Sequence, residues 1–115
     1  MANIGKILFK DHGAFDVDPR VGWVQDGQKV NDQGSWGRMS GGDPDKTMDP
    51  GDAGCPENAP VWAYASVVWG DDASGSPDDG CVYVKGDPHL GIYRVTGTAR
   101  AVTMHFDGIE PTSAG

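Results

Sequence analysis

The residues best suited to chemistry form an acidic segment from Asp43 to Asp52, which reads DPDKTMDPGD. Ca²⁺ takes about six to eight oxygen ligands, and several carboxylates on one irregular loop can supply them. However, Lys46 and Thr47 interrupt the alternating spacing of an EF-hand loop, and aspartate beside proline or glycine is typical of turns. We therefore expect no metal or cofactor. The alternative, a calcium site, would use Asp43, Asp45, Asp49 and Asp52.

The other reactive side chains form no catalytic motif. The histidines His12, His89 and His105 follow no metal-ligand spacing, and no serine lies in a Gly-x-Ser-x-Gly turn. The chain has 18 glycines, but they form none of the phosphate-binding glycine motifs. The sequence therefore favours a protein that is not an enzyme.

The two cysteines, Cys55 and Cys81, could form one disulfide. If Cys81 begins a strand antiparallel to residues 61–69, it lies near Trp69, about 25–30 Å from the chain that precedes Val61, and Cys55 would have to fold back along the strand to reach it. Thiols also stay reduced in the cytoplasm, where we expect the chain to be made. Both arguments favour free thiols over a disulfide.

The four tryptophans divide into two groups. Three of them fall in segments with strand character and are expected to fill the core, namely Trp23, Trp62 and Trp69. The fourth, Trp36, lies in a long loop together with Met39 and Met48. Side chains of this kind are poorly tolerated in water, so we expect them to pack against the domain or against another chain. The predicted partner-binding residues are Trp36, Met39 and Met48.

Residues 61–69 read VWAYASVVW and form the expected central element. Side chains alternate between the two faces of a strand, and here both faces are mostly apolar. Half-buried strands usually carry one polar face, so this pattern predicts a strand that is covered on both sides. A helix is the alternative, but the β-branched and aromatic content favours a strand.

Two hairpins are predicted around this strand. Asp26-Gly27 is a preferred pair for a type I′ turn, because both central residues need positive φ, and pairing across it sets Trp23 opposite Val30. A second hairpin, with Gly97 first in a type II′ turn, places an apolar set on one face. The members of this set are Tyr93, Val95, Val102, Met104 and Phe106. Residues 81–85 are expected to pair antiparallel to residues 61–69.

Residues 31–60 show neither helical nor strand periodicity. Loops this long are uncommon inside compact domains unless they are functional or disordered. The segment keeps one tryptophan and two methionines, which is not typical of disorder. Negative charge is concentrated in this segment and the residues that follow it. Residues 31–80 carry ten acids against two bases, whereas the remaining residues carry seven of each.

The composition predicts the fold class. A chain of 115 residues forms one domain, and its 18 glycines and eight prolines favour short strands joined by turns. We expect an all-β fold, either an antiparallel β-sandwich or a jelly-roll-like barrel with long irregular loops. The single β domain would span residues 1–115, with residues 107–115 as a flexible or partner-bound tail.

Charge and hydropathy exclude two classes of partner. A net charge of −8 disfavours nucleic acid, whose phosphates need clustered lysine and arginine. No segment approaches the roughly 20 apolar residues that span a bilayer, so no membrane is expected. No signal-peptide pattern follows Met1, which predicts synthesis in the cytoplasm.

Together these features predict a non-enzymatic structural protein within a larger assembly. In its most concrete form, this is a capsid cement or decoration protein of a virion. It would be a homo-oligomer that binds neighbouring chains of the assembly through its loops. The alternative is a carbohydrate-binding, lectin-like module, with or without calcium, because tryptophan faces suit sugar rings.

Overall fold

The structure, a computed structural model, describes residues 1–112. Strands make up 58% of the chain, and the described residues contain no α-helix. Two short 3₁₀ helices occur at Pro50–Ala53 and Pro77–Asp79. The strands are β1 Ala2–Ile4, β2 Lys6–Asp11, β3 Asp16–Gln25, β4 Gln28–Gln33, β5 Met39–Ser40, β6 Lys46–Met48, β7 Val61–Val67, β8 Ala73–Ser74, β9 Cys81–Tyr83, β10 His89–Thr98 and β11 Ala101–Pro111.

Two curled sheets form a half-barrel, which confirms the predicted all-β sandwich or barrel-like fold. The first sheet has the order β11-β10-β2-β6, and the second has the order β4-β3-β7-β8, with β5 also pairing with β3. A small parallel pair of β1 and β9 extends the structure at one end. Most pairings are antiparallel, but β10 and β2 run parallel.

The core lies between the two sheets and is apolar throughout. The first sheet contributes Ile7, Phe9, Tyr93 and Val95, all of which are fully buried. The second sheet contributes alternate residues of two paired strands, since Val17, Val21 and their neighbours face the same side as the odd-numbered residues of β7. The odd-numbered residues of β7 are Val61, Ala63, Ala65 and Val67, and all four are buried.

β7 is the most completely buried strand, as its sequence predicts. It pairs with β3 on one side and β8 on the other. Its outer face carries Trp62, which is also fully buried. The indole N–H donates to Oδ1 of Asn31 over 2.8 Å. Gly22, directly opposite, leaves room for the ring, because a Cβ at this position would lie 2.4 Å from the indole nitrogen.

The hairpin between β3 and β4 forms as predicted. Trp23 lies opposite Val30, and the turn residues Asp26 and Gly27 both have positive φ, of 52° and 78°. A type I′ turn requires this left-handed conformation at both positions.

The hairpin of β10 and β11 keeps the predicted face but not the predicted turn. Tyr93 lies opposite Phe106 and Val95 opposite Met104, so the apolar set shares one face. Pairing continues to Thr98, however, and the chain reverses at residues 99–100 rather than at Gly97. The turn has moved along the chain by an even number of residues, and such a shift leaves every side chain on its original face.

The predicted tail is wrong for residues 107–111, which belong to β11. Gly91 pairs with Ile109 and Tyr93 with Phe106, so β11 carries a bulge at Asp107 and Gly108 between these pairs. Gly108 has a φ of 99°, which suits this irregular position. The bulge restores pairing with β10, and the strand continues to its end. Residues 113–115 of the predicted tail lie outside the described residues.

Residues 31–60 contain more regular structure than their sequence predicts. They include the end of β4, the short strands β5 and β6, and the 3₁₀ helix Pro50–Ala53. β5 pairs with β3 in one sheet, and β6 pairs with β2 in the other, so the segment closes one side of the sandwich. The Lys46 ammonium strengthens this closure by donating to the carbonyl oxygens of Trp36 and Gly37.

The predicted pairing of residues 81–85 with residues 61–69 is wrong. β9 instead pairs parallel with β1, and only one isolated antiparallel bridge joins it to Pro60. The reason is that β8 already occupies this edge of β7, where Ala73 pairs with Ala65. The two cysteines are nevertheless free, as predicted, and both are buried.

Gly5 separates β1 from β2 and allows a close backbone contact. A Cβ at this position would lie 2.2 Å from the carbonyl oxygen of Asp87, which is rigid backbone. We expect Gly5→Ala to lower the free energy of unfolding by about 2 kcal/mol or more, because overpacking against backbone forces the chain to shift. Urea denaturation measures this change, with Lys6→Ala at the exposed neighbouring position as the control. Equal midpoints for the two variants would contradict the prediction.

Candidate binding site

The most exposed aromatic side chain is Trp69, at 91% exposure. This corrects the prediction that Trp69 fills the core. β7 ends at Val67, and Trp69 adopts a φ of 58° in the turn that follows, so the alternation of buried side chains stops before it. The turn-forming residues that follow, Gly-Asp-Asp, are the sequence signal that could have placed Trp69 outside the strand.

The turn that presents Trp69 is held on both sides by backbone hydrogen bonds. The N–H of Val68 donates to the carbonyl oxygen of Asp16 over 3.0 Å, and the N–H of Asp71 donates to that of Ala99 over 2.8 Å. Positive φ is a genuine outlier for a bulky residue such as tryptophan. Such strain persists only when the surrounding structure imposes it. The indole is therefore displayed from a fixed backbone.

Asp72 closes the same turn with both of its carboxylate oxygens. Oδ1 accepts from the N–H of Val67 over 2.9 Å, and Oδ2 accepts from the hydroxyl of Tyr64 over 2.6 Å. Burial, together with this hydrogen bond, raises the pKa of Tyr64 to about 12. The hydroxyl thus remains a proton donor to Asp72 at neutral pH, and the turn stays closed.

An acidic patch lies on the outer face of the second sheet beside Tyr64. Arg20 is directly opposite Tyr64 and forms ion pairs with two carboxylates, at 3.3 Å from Asp18 and 2.9 Å from Asp32. Its Nε is buried without a hydrogen-bond partner. With Asp72, this face carries three acids around one base, so its net charge is negative.

The loop residues predicted to bind a partner are distributed differently. Met39 and Met48 are buried, at 2% and 0% exposure, in the core between the sheets. This corrects the prediction for both methionines, because side chains that fill the domain's own core have no surface left for a partner. Trp36 is partly buried against the core and keeps some exposed surface.

The aspartates considered as calcium ligands serve local structure. Oδ2 of Asp43 accepts from the N–H of Ser40 over 2.7 Å. Asp49 caps the 3₁₀ helix by accepting from the N–H of Gly51, and the same oxygen accepts from the hydroxyl of Tyr83 over 2.6 Å. The other two candidates, Asp45 and Asp52, are exposed. In residues 1–112 no three acidic, histidine or cysteine side chains gather in a way that could hold a metal ion.

One buried carboxylate has no structural partner for its second oxygen. Asp11 is 2% exposed, its Oδ1 accepts from the N–H of Gly13, and its Oδ2 is unpaired. Burial raises its pKa, and the nearby charges of Asp16 and Asp43 add to this effect. The Asp11 carboxylate lies near Asp16, and the backbone carbonyl oxygen of Asp16 accepts from the N–H of Val68, which precedes Trp69.

Two grooves lie where β9 and β1 meet the loop that follows β6. The larger has a volume of about 420 Å³ and is lined by residues that include Asp49, Lys85 and Asp87. The smaller has a volume of about 240 Å³ and contains Cys55 and Tyr83. Burial raises the pKa of the Cys55 thiol to about 12, and burial with the Asp49 hydrogen bond raises that of Tyr83 above its ordinary range. Neither group supplies a reactive anion at neutral pH.

Helices long and apolar enough to cross a membrane are absent from the part of the chain that the structure describes. No protein-family model matches the sequence. No curated protein matches it significantly either.

Solved structures of toxins show a distant likeness. A Gram-negative toxin matches with 14% sequence identity and a TM-score of 0.43, and listeriolysin O with 16% identity and a TM-score of 0.44. Pneumolysin matches with 16% identity and a TM-score of 0.37. Each match covers 90% of this chain but only 22% or 23% of the toxin, so the chain spans about a fifth of their length. At this distance the likeness carries no conclusion about function.

The two thiols should be unreactive in the folded protein. Burial raises the pKa of Cys55 to about 12 and that of Cys81 to about 11, so almost no thiolate forms at about pH 8. We expect labelling by a disulfide reagent to be at least about 100-fold slower than for a free cysteine. In denaturant both thiols should react without prior reduction. Labelling of the native protein at the rate of free cysteine would contradict the burial of these side chains.

Stability should fall at alkaline pH. The pKa of Tyr64 is raised to about 12 and that of Cys81 to about 11, whereas the unfolded chain releases these protons from about pH 8.5 to 10. The folded state therefore binds protons more tightly, and its advantage is complete below this range and lost as pH rises through the folded values. Urea midpoints measured from about pH 7 to 11 test this, and Cys81→Ala should give a shallower decline. A flat profile for the wild type would contradict the prediction.

Proposed function

We propose that this chain is a non-enzymatic structural protein that attaches to other protein chains of a large assembly through Trp69. In its most concrete form the proposal is a cement or decoration protein on a virion capsid. The observation that carries the proposal is the tryptophan that is 91% exposed on a strained and tethered turn.

Exposure of this kind is costly in the isolated protein and useful in a complex. Large aromatic side chains dominate binding energy when they enter a pocket on a partner, and truncating such an anchor costs about 2 kcal/mol or more. The turn around Trp69 is already fixed by Asp72 and by backbone hydrogen bonds at Val68 and Asp71. Little conformational entropy is then lost on binding, which raises the affinity.

The charge of the surrounding surface favours a basic partner. The outer face beside Tyr64 carries Asp18, Asp32 and Asp72 around a single arginine, and Asp72 also holds the turn that presents Trp69. Residues 31–80 as a whole carry ten acids against two bases. Complementary charge accelerates association and selects the partner more than it adds affinity. Raised salt should therefore slow attachment, because exposed charges are screened.

The reactive groups of the chain do not favour an enzyme. Both cysteine thiols and several tyrosine hydroxyls have raised pKa values, because burial disfavours their charged forms. The histidine His89 pairs with Asp87 on the surface, and His105 contacts the hydroxyl of Thr96. The second contact sets a hydroxyl beside an imidazole, but within residues 1–112 no hydrogen bond joins the other ring nitrogen of His105 to a third group that would orient it, as an activated nucleophile requires.

A carbohydrate-binding module is the second candidate, and the same tryptophan supports it. An indole exposed on both faces can stack on a sugar ring. Sugar recognition also needs polar groups that are free to bind hydroxyls, but both oxygens of the adjacent Asp72 already accept hydrogen bonds within the domain. A protein partner is therefore the better-supported choice.

Trp69→Ala should remove attachment while leaving the fold intact. Because the side chain is 91% exposed, its loss should change the free energy of unfolding by less than about 0.5 kcal/mol. We expect binding to weaken by about 30-fold or more, which corresponds to the loss of an aromatic anchor. The measurement is size fractionation of extracts from the source cells, where wild-type chain should migrate with a large particle and the variant should migrate free. Gln28→Ala, at an exposed position of β4, is the control and should stay with the particle, whereas release of Trp36→Ala would support the predicted role of Trp36.

Three outcomes would overturn this proposal. Equal retention of Trp69→Ala and wild type would show that Trp69 is not part of the interface. Migration of the wild type as a small species at low salt would show that the chain is not part of a large assembly. Binding of the wild type to a glycan array, abolished by Trp69→Ala, would establish the carbohydrate-binding alternative.

A further inference from the structure

β11 is a long strand whose outer edge has no partner. It spans Ala101–Pro111 at the end of the first sheet, and within residues 1–112 it pairs with β10 alone. The backbone groups of alternate residues along its other edge are thus available to another strand. Its sequence, AVTMHFDGIEP, contains no lysine, and its only proline is the last residue.

The other sheet edges are protected against such pairing. β8 has two residues and β6 has three, one of which is Lys46. β4 has six residues, but it carries Lys29, and Asp32 bends its end with a φ of 61°. Short length, lysine and local distortion are the devices that blunt an edge strand. β11 lacks the first two of these, and its bulge lies near its far end.

An apolar strip lies along the unprotected part of β11. Val102, Met104 and Phe106 point toward the core but are only partly buried. On this side of the sandwich the opposing sheet ends in the two-residue strand β8, which lies against β11 but covers only part of the strip. A free backbone edge and an incompletely covered apolar strip therefore coincide.

We propose that a second copy of this chain pairs with this edge, with the two β11 strands antiparallel and related by a two-fold axis at Met104. The first sheet of one copy, with four strands, would then join the first sheet of the other copy into one continuous sheet. This inference goes beyond the attachment through Trp69, because it concerns another element, β11, and another partner.

The geometry of β11 selects the position of the axis. The straight part of the strand is bounded by the turn at residues 99–100 and by the bulge at Asp107 and Gly108. It covers residues 101–106, and its three apolar residues, Val102, Met104 and Phe106, are centred on Met104. Overlap of these three residues in two antiparallel copies sets Met104 opposite its own equivalent and Val102 opposite Phe106 of the second copy. Every apolar side chain of the strip then meets another apolar side chain on the same face.

Charge also favours a second copy at this edge. The chain carries a net charge of −8, so two copies repel each other over most of their surfaces. The hairpin of β10 and β11 is an exception, because residues 89–111 contain two acids, Asp107 and Glu110, and two bases, Arg94 and Arg100. Arg94 also neutralises Asp107 directly at 2.9 Å. In the proposed register Thr103 lies opposite His105 of the second copy, so no like charges are opposed.

The test uses the purified full chain in sedimentation equilibrium from about 1 µM to 1 mM, a range suited to a small interface. The wild type should show a reversible monomer–dimer equilibrium. The double variant Thr103→Lys/His105→Lys places introduced lysines opposite each other and should weaken the dimer by about 10-fold or more. The double variant Thr103→Lys/His105→Glu instead sets opposite charges across the same pair and should dimerise at least as well as wild type.

Matched controls separate the edge from general effects of charge. Thr47→Lys adds an exposed lysine to β6, at the opposite edge of the same sheet, and should leave the dimer unchanged. Both double variants lose the contact of His105 with Thr96, so this loss cancels between them. If either variant fails to fold, hydrogen exchange of the wild type decides, since amides of residues 101–107 should be more protected at high concentration.

The proposal is overturned if the wild type remains monomeric across the whole range. It is also overturned if the two double variants dimerise equally, because the register then does not oppose residues 103 and 105. Unchanged hydrogen exchange of residues 101–107 in a dimeric wild type would place the interface elsewhere.

Discussion

The structure depends on the burial of both faces of β7 within the second sheet. Its inner face packs on the core through small and β-branched side chains, whereas its outer face must bury the indole of Trp62. Burial of a polar N–H is tolerated only with a hydrogen-bond acceptor, which Asn31 provides, and the ring fits only because residue 22 is glycine. The positions of β3 and β4 around β7 follow from these two requirements.

The segment between β4 and β7 completes the core rather than extending away from it. Met39 and Met48 enter the space between the sheets from β5 and β6, and Lys46 joins the two sides of the segment through backbone oxygens. Its aspartates cap turns and the 3₁₀ helix, so they stabilise local backbone. A long loop with apolar side chains has here become one wall of a half-barrel.

The apolar groups that remain outside the core are few and localised. Besides Met1, the large hydrophobic side chain exposed to solvent is Trp69, and the partly covered strip lies on β11. The first stands on a turn whose Asp71 is hydrogen-bonded to Ala99, and the second begins two residues later along a free backbone edge. The proposals of a partner at Trp69 and of a second copy at β11 rest on these two features.

Local patterns in the sequence determined the fold class, the doubly buried β7, the Asp26-Gly27 hairpin and the shared face of β10 and β11, since alternation and turn propensity act between neighbouring residues. The tertiary structure decided which edges are joined. β8 occupies the edge of β7, so β9 pairs with β1 instead. The same long-range packing draws the methionines inward and leaves Trp69 in solvent, because burial depends on contacts between segments far apart in the chain. The candidate site was therefore not predictable from periodicity.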